Sequence, residues 1–278
     1  MIKNSKDNPL VSVCVISYNS SDTIIETLDS IKKQDYKDIE LIVSDDCSTD
    51  NTRQVIEEWM DQNSSFFKDS QVIFSEKNKG VTHNCNQACR VANGEIIKLI
   101  GADDILLPTY LSDCVDFFNR NPQERVLFLK VRAFLGNDIE KKADLVERYD
   151  FLSLSAKQQF DWIKRHNLPL LPTASAIYRR SVLEEMDFFD ERIPMWEDGP
   201  FYFKLAQNLI HLAFLDKEGV LYRVRESSLS NGKNINHMKS EVLYYRYYSL
   251  KYELLYNSPK AFYHLWKIIF YSLKYGTK

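Results

Sequence analysis

Several features that would assign a protein to a well-defined class are missing from this 278-residue sequence. The formal net charge is only -3 and the pI is near 6.0, so composition gives no general attraction to nucleic acid. The five cysteines are odd in number and lack C-x-x-C spacing, which favours reduced thiols and argues against a zinc site. The loops G-x-G-x-x-G and G-x-x-x-x-G-K-[ST] are also absent, which excludes the common dinucleotide and P-loop sites.

Long hydrophobic runs are missing as well. Residues 1–9 are polar, so we expect no signal peptide. The most apolar stretch near the C-terminus, AFYHLWKIIFYSL, contains His264 and Lys267 and is too short to span a bilayer. With 44% hydrophobic and 27% charged residues, the composition is that of an ordinary globular protein, and we expect a cytoplasmic one.

The first 120 residues alternate between two hydrophobic patterns. Short runs rich in β-branched residues predict strands, and apolar residues at helical spacing follow each run. Four such strand-helix units predict an α/β fold with a mostly parallel sheet flanked by helices. The predicted strands are Leu10–Ile16, Ile39–Ser44, Gln71–Ser75 and Glu95–Ile100, and the helices that follow contain Ile24–Ile31, Val55–Trp59, His83–Val91 and Tyr110–Asn119.

Acidic pairs follow two of these strands. Asp45 and Asp46 end the second strand, and Asp103 and Asp104 follow the fourth in KLIGADDILLP. Ligands of parallel sheets bind where the carboxyl ends of strands meet, so we expect one site with several carboxylates. A divalent cation held by Asp103 and Asp104 would make this site a phosphate receptor. The alternative is that this pair only precedes a helix whose dipole favours acidic residues.

The segment VSVCVISYNSSDTIIETLDSIKKQDYKDIELIVSDDCSTDNT resembles the opening of glycosyltransferase family 2, the inverting, nucleotide-sugar-dependent enzymes with the GT-A fold. The resemblance is strong over the first 105 residues and continues as short motifs to about residue 230. It implies a GT-A catalytic domain over residues 1–232, with a nucleotide-binding half at 1–105 and an acceptor-binding half at 106–232. Residues 233–278 would form a helical C-terminal extension.

The resemblance also implies a nucleotide pocket. Ile16 and Tyr18 would flank the nucleobase, with Tyr18 stacking on its face. Asp46 would accept a hydrogen bond from a pyrimidine imide N–H, and Asp45 would line the same pocket. This pattern favours uridine over guanosine and implies a UDP-sugar donor.

The same resemblance assigns Asp104 as the direct ligand of Mn²⁺ or Mg²⁺, and Asp103 as a second metal-site residue and a contact to ribose or donor sugar. The sequence departs from the family's D-x-D-D pattern, since Gly101 stands where the first Asp is common. It departs again in NKGVTHNCNQA, where Cys85 replaces the usual Arg. Asn78 and Gly80 match that segment, and they are equally typical of a turn between strand and helix.

A third segment, FFDERIPMWEDGPFYFKLA, is similar to the family's E-D motif, which supplies the catalytic base. An inverting transferase needs one carboxylate to remove the acceptor hydroxyl's proton. Asp198 is the predicted base, and Glu197 would support it or bind acceptor. The alternative is again an acidic first turn of a helix.

The segment LYRVRESSLSN is similar to the family's closing Y-R-x-H motif, with Arg225 in place of His. Arg223 and Arg225 are therefore candidate ligands of the donor diphosphate, because guanidinium groups bind phosphate bidentately. Both would also be unexceptional as surface arginines of a strand.

The C-terminal residues 241–278 hold nine of the sixteen tyrosines, and Lys260, Lys267 and Lys274 recur every seven residues. A basic, aromatic, amphipathic helix of this kind suits the surface of an anionic membrane. Packing on the catalytic domain or on a second subunit of a homodimer explains the pattern equally well.

From the resemblance we expect an inverting transfer of a hexose or N-acetylhexosamine from UDP to a saccharide acceptor. Family analogy further implies an acceptor linked to undecaprenyl diphosphate, in O-antigen or capsule synthesis at the inner face of the cytoplasmic membrane. The alternatives are a catalytically idle sugar-nucleotide or polysaccharide-binding module, and a receiver domain, which is much shorter and leaves the Trp-Glu-Asp segment unexplained.

Overall fold

The computed structural model describes residues 8–136, 138–142, 148–224, 235–256 and 260–275. Its strands are β1 (Val11–Ser17), β2 (Ile39–Asp45), β3 (Asp69–Phe74), β4 (Ile96–Gly101), β5 (Ile105–Leu106), β6 (Val126–Leu135), β7 (Asp138–Lys142), β8 (Ile177–Arg179) and β9 (Leu212–Val224). Its α-helices are α1 (Ile24–Lys32), α2 (Thr52–Asn63), α3 (Val81–Val91), α4 (Tyr110–Arg120), α5 (Tyr149–Leu152), α6 (Ala156–His166), α7 (Arg180–Glu185), α8 (Asp198–Gln207), α9 (Ile235–Tyr244), α10 (Leu250–Leu255) and α11 (Ala261–Tyr275). A π-helical turn, Tyr245–Ser249, joins α9 to α10.

The strands pair in one sheet in the order β3-β2-β1-β4-β8-β6-β9-β5, and β7 pairs with β6. The first four are parallel, as the alternating sequence pattern predicts. The register aligns Ser17 of β1 with Asp45 of β2, and Ile16 of β1 with Gly101 of β4. Three strands therefore end at the same level, and their following loops share one edge of the sheet.

The second half of the sheet was not predicted. Strand β8 pairs antiparallel to both β4 and β6, and β9 runs parallel to β6. The two-residue strand β5 follows the Asp103–Asp104 pair directly and pairs with β9. This pairing joins the acidic turn to a strand more than a hundred residues further along the chain.

Both faces of the sheet are covered by helices, as the near-continuous apolar strands require. On β1, Val11, Val13 and Val15 point into a core shared with α1, α2 and α4. Cys14 of β1 points into the opposite core, which includes side chains of α3, α6 and α8. The alternation follows from the two-residue period of a strand.

The C-terminal helices pack on α6 and α8 through aromatic rings. The ring of Phe203 lies 6.2, 5.8 and 5.6 Å from those of Tyr244, Tyr248 and Tyr252. Phe160 of α6 also contacts Tyr252, at 5.8 Å. Across the residues that the structure covers, no helix combines the length and hydrophobicity that a membrane-spanning segment requires.

A buried carboxylate joins β1, β2 and the turn before β4 at the edge of the sheet opposite to the acidic pairs. Glu40 is fully buried and accepts hydrogen bonds from the Ser12 hydroxyl and from Asn93, whose backbone N–H and side-chain amide lie at 2.8 and 2.7 Å. The Ser12 hydroxyl also accepts the N–H of Gly94 at 2.8 Å. Each member of this network depends on the carboxylate, because a buried donor without an acceptor is costly.

Replacing Glu40 by Ala should therefore lower the free energy of unfolding by about 2–4 kcal/mol, because Ser12 and Asn93 lose their acceptor. Urea denaturation followed by circular dichroism measures this loss. Glu40→Gln, which keeps the shape and one acceptor oxygen, is the matched control and should lose less. Equal losses in the two variants would contradict a role for the carboxylate's hydrogen bonds.

Candidate active site

The loops after β1 and β2 are fastened to each other and leave one aromatic ring exposed. Asn19, at φ +50°, donates its backbone N–H to the Ser48 hydroxyl at 2.8 Å, and its side-chain oxygen accepts the Thr49 N–H at 2.8 Å. Tyr18 lies directly before this junction with half of its surface exposed, while Ile16 is half-buried beside it. Their positions at the strand end are those expected of residues that flank a flat ligand.

The two acids after β2 have different surroundings, although both are buried. Asp45 accepts hydrogen bonds from the backbone N–H and the hydroxyl of Ser48, which closes the turn after the strand. Asp46 accepts the backbone N–H groups of Lys79 and Gly80 at 3.0 and 2.7 Å, at the start of α3. A carboxylate offers about four acceptor positions, so Asp46 keeps capacity for a ligand donor.

Asp103 and Asp104 face the same small volume. A side chain at position 101 would have its Cβ 3.0 Å from Oδ1 of Asp103 and 3.7 Å from Oδ2 of Asp104, so Gly101 leaves that space open. Asp104 is buried, and its Oδ1 accepts the backbone N–H of Arg223 at 3.0 Å. Burial, with the neighbouring charge of Asp103, raises the pKa of Asp104 well above its usual range.

This pair fits a divalent cation whose remaining ligands come from the substrate. Among the residues that the structure describes, no cluster of three or more Asp, Glu, His or Cys side chains has the geometry of a metal site. Two carboxylates suffice for Mg²⁺ or Mn²⁺ where phosphate oxygens and water complete the coordination. A bound cation would also relieve the repulsion between the two acids.

Arg223, a candidate ligand of the diphosphate, is anchored within the protein. Its guanidinium is buried, and it donates to the carbonyl of Asp103 at 2.9 Å, to the carbonyl of Gly136 at 2.6 Å and to the Glu26 carboxylate at 2.6 Å. It also lies 4.6 Å from the ring centre of Phe134. This geometry does not favour contact with a diphosphate, because the guanidinium has no exposed surface; it holds the acidic turn against β9 and α1. Arg225, the other candidate, lies outside the described residues.

Glu197 and Asp198 begin α8 in a cluster of aromatic and polar side chains. Burial and, to a lesser extent, the adjacent charge of Asp198 together raise the pKa of Glu197 to about 8. The pKa of Asp198 is also raised by burial, although the N–H of Gly199, the side chains of Thr173 and Trp196 and the charge of His237 oppose the rise. A carboxylate with a raised pKa is a stronger base than one in water.

The Trp196 indole is held close to the backbone of α8. A Cβ at Gly199 would lie 2.6 Å from the indole, so only glycine fits there. The other side of the indole packs on Tyr244 with ring centres 4.7 Å apart. The C-terminal helices therefore help to shape the surroundings of Asp198.

Two contacts join the Asp198 segment to the start of α3, which also contacts Asp46. The carbonyl of Pro194 accepts the Thr82 N–H at 3.2 Å, and a Cβ at Gly80 would lie 2.6 Å from that oxygen. Gly80 has φ +96° and is the residue that also donates to Asp46. The start of α3 thus contacts both Asp46 and the chain that leads to Asp198.

A buried lysine holds the turn that carries Thr173. Lys98 of β4 donates to the carbonyls of Ala174 and Ala176 at 2.5 and 3.3 Å, and burial lowers its pKa to about 7. Thr173 itself contacts Asp198. Sequence patterns gave no signal for Lys98, because a lysine within an apolar strand is usually placed with its amine in solvent.

A family model described as glycosyl transferase family 2 matches residues 12–187, more than half of the chain. The chain belongs to glycosyltransferase family 2. The predicted family, and the predicted class of enzyme, are thereby confirmed. Gly101 and Cys85 remain departures from the family's usual pattern within this glycosyltransferase.

Relatives of this glycosyltransferase come from archaea and bacteria. An uncharacterised glycosyltransferase of Methanocaldococcus jannaschii is 29% identical over 276 residues, which is 96% of this chain and 87% of that protein. The poly(ribitol-phosphate) β-N-acetylglucosaminyltransferase TarS of Staphylococcus aureus is 27% identical over 93% of this chain, but over only 39% of its own length. The Escherichia coli UDP-Glc:α-D-GlcNAc-diphosphoundecaprenol β-1,3-glucosyltransferase WfaP is 34% identical over 46% of this chain and 48% of its own.

Solved structures share the fold of this glycosyltransferase. TarS residues 1–349 in complex with UDP-GlcNAc superpose with a TM-score of 0.67 at 24% identity, covering 93% of this chain and 70% of that one. The mannosyltransferase PcManGT of Pyrobaculum calidifontis, in complex with GDP-Man and Mn²⁺, gives a TM-score of 0.66 at 20% identity, covering 94% and 72%. The predicted GT-A architecture is confirmed.

Replacing Arg223 by Gln should lower the free energy of unfolding by about 2–4 kcal/mol, because two carbonyls and Glu26 lose a buried donor. Hydrogen exchange should also become faster at residues 101–106, since the acidic turn loses its anchor. Urea denaturation and amide exchange measured by mass spectrometry test both effects.

The matched control is Arg192→Gln. Arg192 pairs with Asp190, and its side chain is exposed, so its loss should change the free energy of unfolding by about 1 kcal/mol or less. Unchanged exchange at residues 101–106 in Arg223→Gln would contradict the anchoring role.

Proposed function

We propose that this glycosyltransferase moves a hexose or an N-acetylhexosamine from a UDP-sugar to a saccharide acceptor, with inversion at the anomeric carbon. The observation that carries the proposal is the position of Asp198. This carboxylate has a raised pKa, and its segment packs on the same turn of α3 that donates to Asp46. In this proposal, the base and the nucleotide pocket are therefore neighbours, joined through the start of α3.

In the proposed reaction, Asp198 accepts the proton of the acceptor hydroxyl as that oxygen forms a bond to the anomeric carbon. The bond from this carbon to the diphosphate breaks on the opposite face, and UDP leaves. Thr173 and Trp196 orient the Asp198 carboxylate, and burial raises its basicity.

Asp104, with Asp103 beside it, would hold Mg²⁺ or Mn²⁺ in the open space next to Gly101. Such a cation supplies Lewis-acid stabilisation of the departing diphosphate. Asp103 also lies where it can contact the ribose or the donor sugar. Arg223 holds the two acids in place, because its backbone N–H donates to the Asp104 carboxylate and its guanidinium donates to the Asp103 carbonyl.

The choice of uridine rests on the acceptor capacity of Asp46 and on two relatives whose names or titles include UDP-linked sugars. A lipid-linked acceptor is supported by the diphosphoundecaprenol in the name of WfaP. We propose such an acceptor here, in the synthesis of a bacterial surface polysaccharide such as O-antigen or capsule, at the inner face of the cytoplasmic membrane.

Replacing Asp198 by Asn should reduce the rate of sugar transfer by about 10²–10⁴-fold, because the base is lost, while binding of the UDP-sugar is unchanged. Asp104→Asn should instead weaken metal-dependent binding of the donor. Transfer is measured with a panel of UDP-sugars, Mn²⁺ and saccharide acceptors, and binding by calorimetry with and without the metal.

Asp161→Asn is the matched control, since Asp161 lies on α6 and pairs only with lysines of the same helix. It should behave as the wild type in both assays. Transfer by Asp198→Asn at the wild-type rate would refute the assignment of the base. Donor binding without transfer to any acceptor would favour an idle binding module.

The pH dependence of the reaction follows from the raised pKa values of Glu197 and Asp198. Because the base acts in its deprotonated form, kcat/KM should rise with pH through a limb above the usual carboxyl range of about 4–5. Glu197→Gln should leave this limb near its wild-type pH, because Glu197, with a pKa of about 8, is still neutral when Asp198 loses its proton. Initial rates measured from pH 5 to 9 test this, and a limb that moves by a pH unit or more in Glu197→Gln would contradict the assignment of the limb to Asp198.

A further inference from the structure

The last helix, α11, has two faces of very different character. Its inner face, with Ala261, His264 and Tyr271, is buried. The His264 ring stacks on Tyr245 with ring centres 3.6 Å apart, and its Nδ1 lies 2.6 Å from the Glu253 carboxylate. This face fixes the helix to the rest of the molecule.

The outer face of α11 consists of apolar and aromatic side chains. Phe262, Trp266 and Leu273 are 78%, 57% and 83% exposed, and Ile269 and Phe270 are exposed beside them. At 100° per residue these five side chains fall within an arc of about 100°. A contiguous exposed apolar surface of this kind is unusual on a protein that has no binding partner, and it indicates an interaction site.

The charge around this face has one sign. Helix α11 contains no acidic residue, and Lys267 and Lys274 lie along one edge of the outer face, 5.5 and 5.4 Å from the ring centres of Tyr263 and Phe270. Lys260, seven residues before Lys267, continues the same edge.

The surrounding C-terminal helices add to this charge. Residues 235–275 contain six lysines and arginines against two acids. Of the acids, Glu253 is bonded to His264 in the interior and Glu241 pairs with Lys267. The C-terminal helices that include this face therefore carry a net positive charge.

We propose that the outer face of α11 docks on an anionic lipid surface, with the helix in the plane of the interface. The exposed aromatic and aliphatic side chains would enter the headgroup region, and Lys260 and Lys274 would contact anionic headgroups. A second copy of the chain fits this face less well, because a twofold contact would bring two lysine rows of the same charge together.

Docking would place the proposed transferase at the membrane surface. The inference rests on the proposed function only for this link to the acceptor. A lipid-linked acceptor presents its sugar at the membrane surface. Tyr244 packs on Trp196, and the next residue, Tyr245, stacks on His264 of α11, so docking through α11 would fix the position of the Asp198 segment relative to that surface.

The test uses the whole chain and vesicles of phosphatidylcholine alone or with phosphatidylglycerol. The double variant Trp266→Ser, Leu273→Ser removes two exposed side chains, and we expect its binding to anionic vesicles to fall about ten-fold or more. The matched control, Phe66→Ser with Leu209→Ser, removes two exposed apolar side chains elsewhere and should bind as the wild type does. Wild-type binding should weaken at high salt and on neutral vesicles.

Sedimentation with vesicles, gel filtration and sugar transfer to a water-soluble acceptor separate the outcomes. The proposal is overturned if the wild-type protein does not bind anionic vesicles, or if the Trp266, Leu273 variant binds them as well as the wild type does. A wild-type dimer that becomes monomeric in the Trp266, Leu273 variant also overturns it, in favour of a second copy. Vesicle binding without transfer by the wild type would contradict the proposed function and leave the docking surface intact.

Discussion

Repulsion between carboxylates is the constraint around which this site is built. Asp45 and Asp46 lie at the end of β2, and Asp103 and Asp104 follow β4, on the other side of β1; all but Asp103 are buried. Burial without partners would favour their neutral forms, and the structure offsets that cost with directed donors. Ser48 donates hydrogen bonds to Asp45, backbone N–H groups at the start of α3 donate to Asp46, and the backbone N–H of Arg223 donates to Asp104. The donors to Asp46 and Asp104 come from segments distant in sequence, so folding itself assembles the site.

The same interactions join the two halves of the chain. Strand β9 contacts the acidic turn through Arg223 and through its pairing with β5. The segment before α8 contacts the start of α3 through Pro194. The early strands and the later segments of the chain therefore share backbone contacts around the acidic residues. Under the proposed function, these contacts would keep the base, the acceptor and the leaving group aligned.

The C-terminal helices contribute to two surfaces, the surroundings of Asp198 and the outer face of α11. Tyr244 packs on Trp196 next to Asp198, and the aromatic side chains that follow it pack on α8. This packing covers these aromatic side chains, whereas the apolar side chains on the outer face of α11 are exposed. The high aromatic content of the segment therefore has two physical causes, which the composition alone does not separate.

The first four strands and their helices follow from local sequence, because β-branched runs and helical periodicity act over a few residues each. The acidic pairs and the Glu-Asp segment were also visible in the sequence, since their residue types and their places at element boundaries suffice to mark them. Strand β8, the pairing of β5 with β9 and the burial of Lys98 were not, because each depends on contacts between residues far apart in the chain. Arg223 shows the difference most clearly: its sequence context indicated a phosphate ligand, but only tertiary structure decides where a guanidinium points. Here the guanidinium lies against Phe134 and donates hydrogen bonds to Glu26 and to two carbonyls, one of which belongs to Asp103 in the acidic turn.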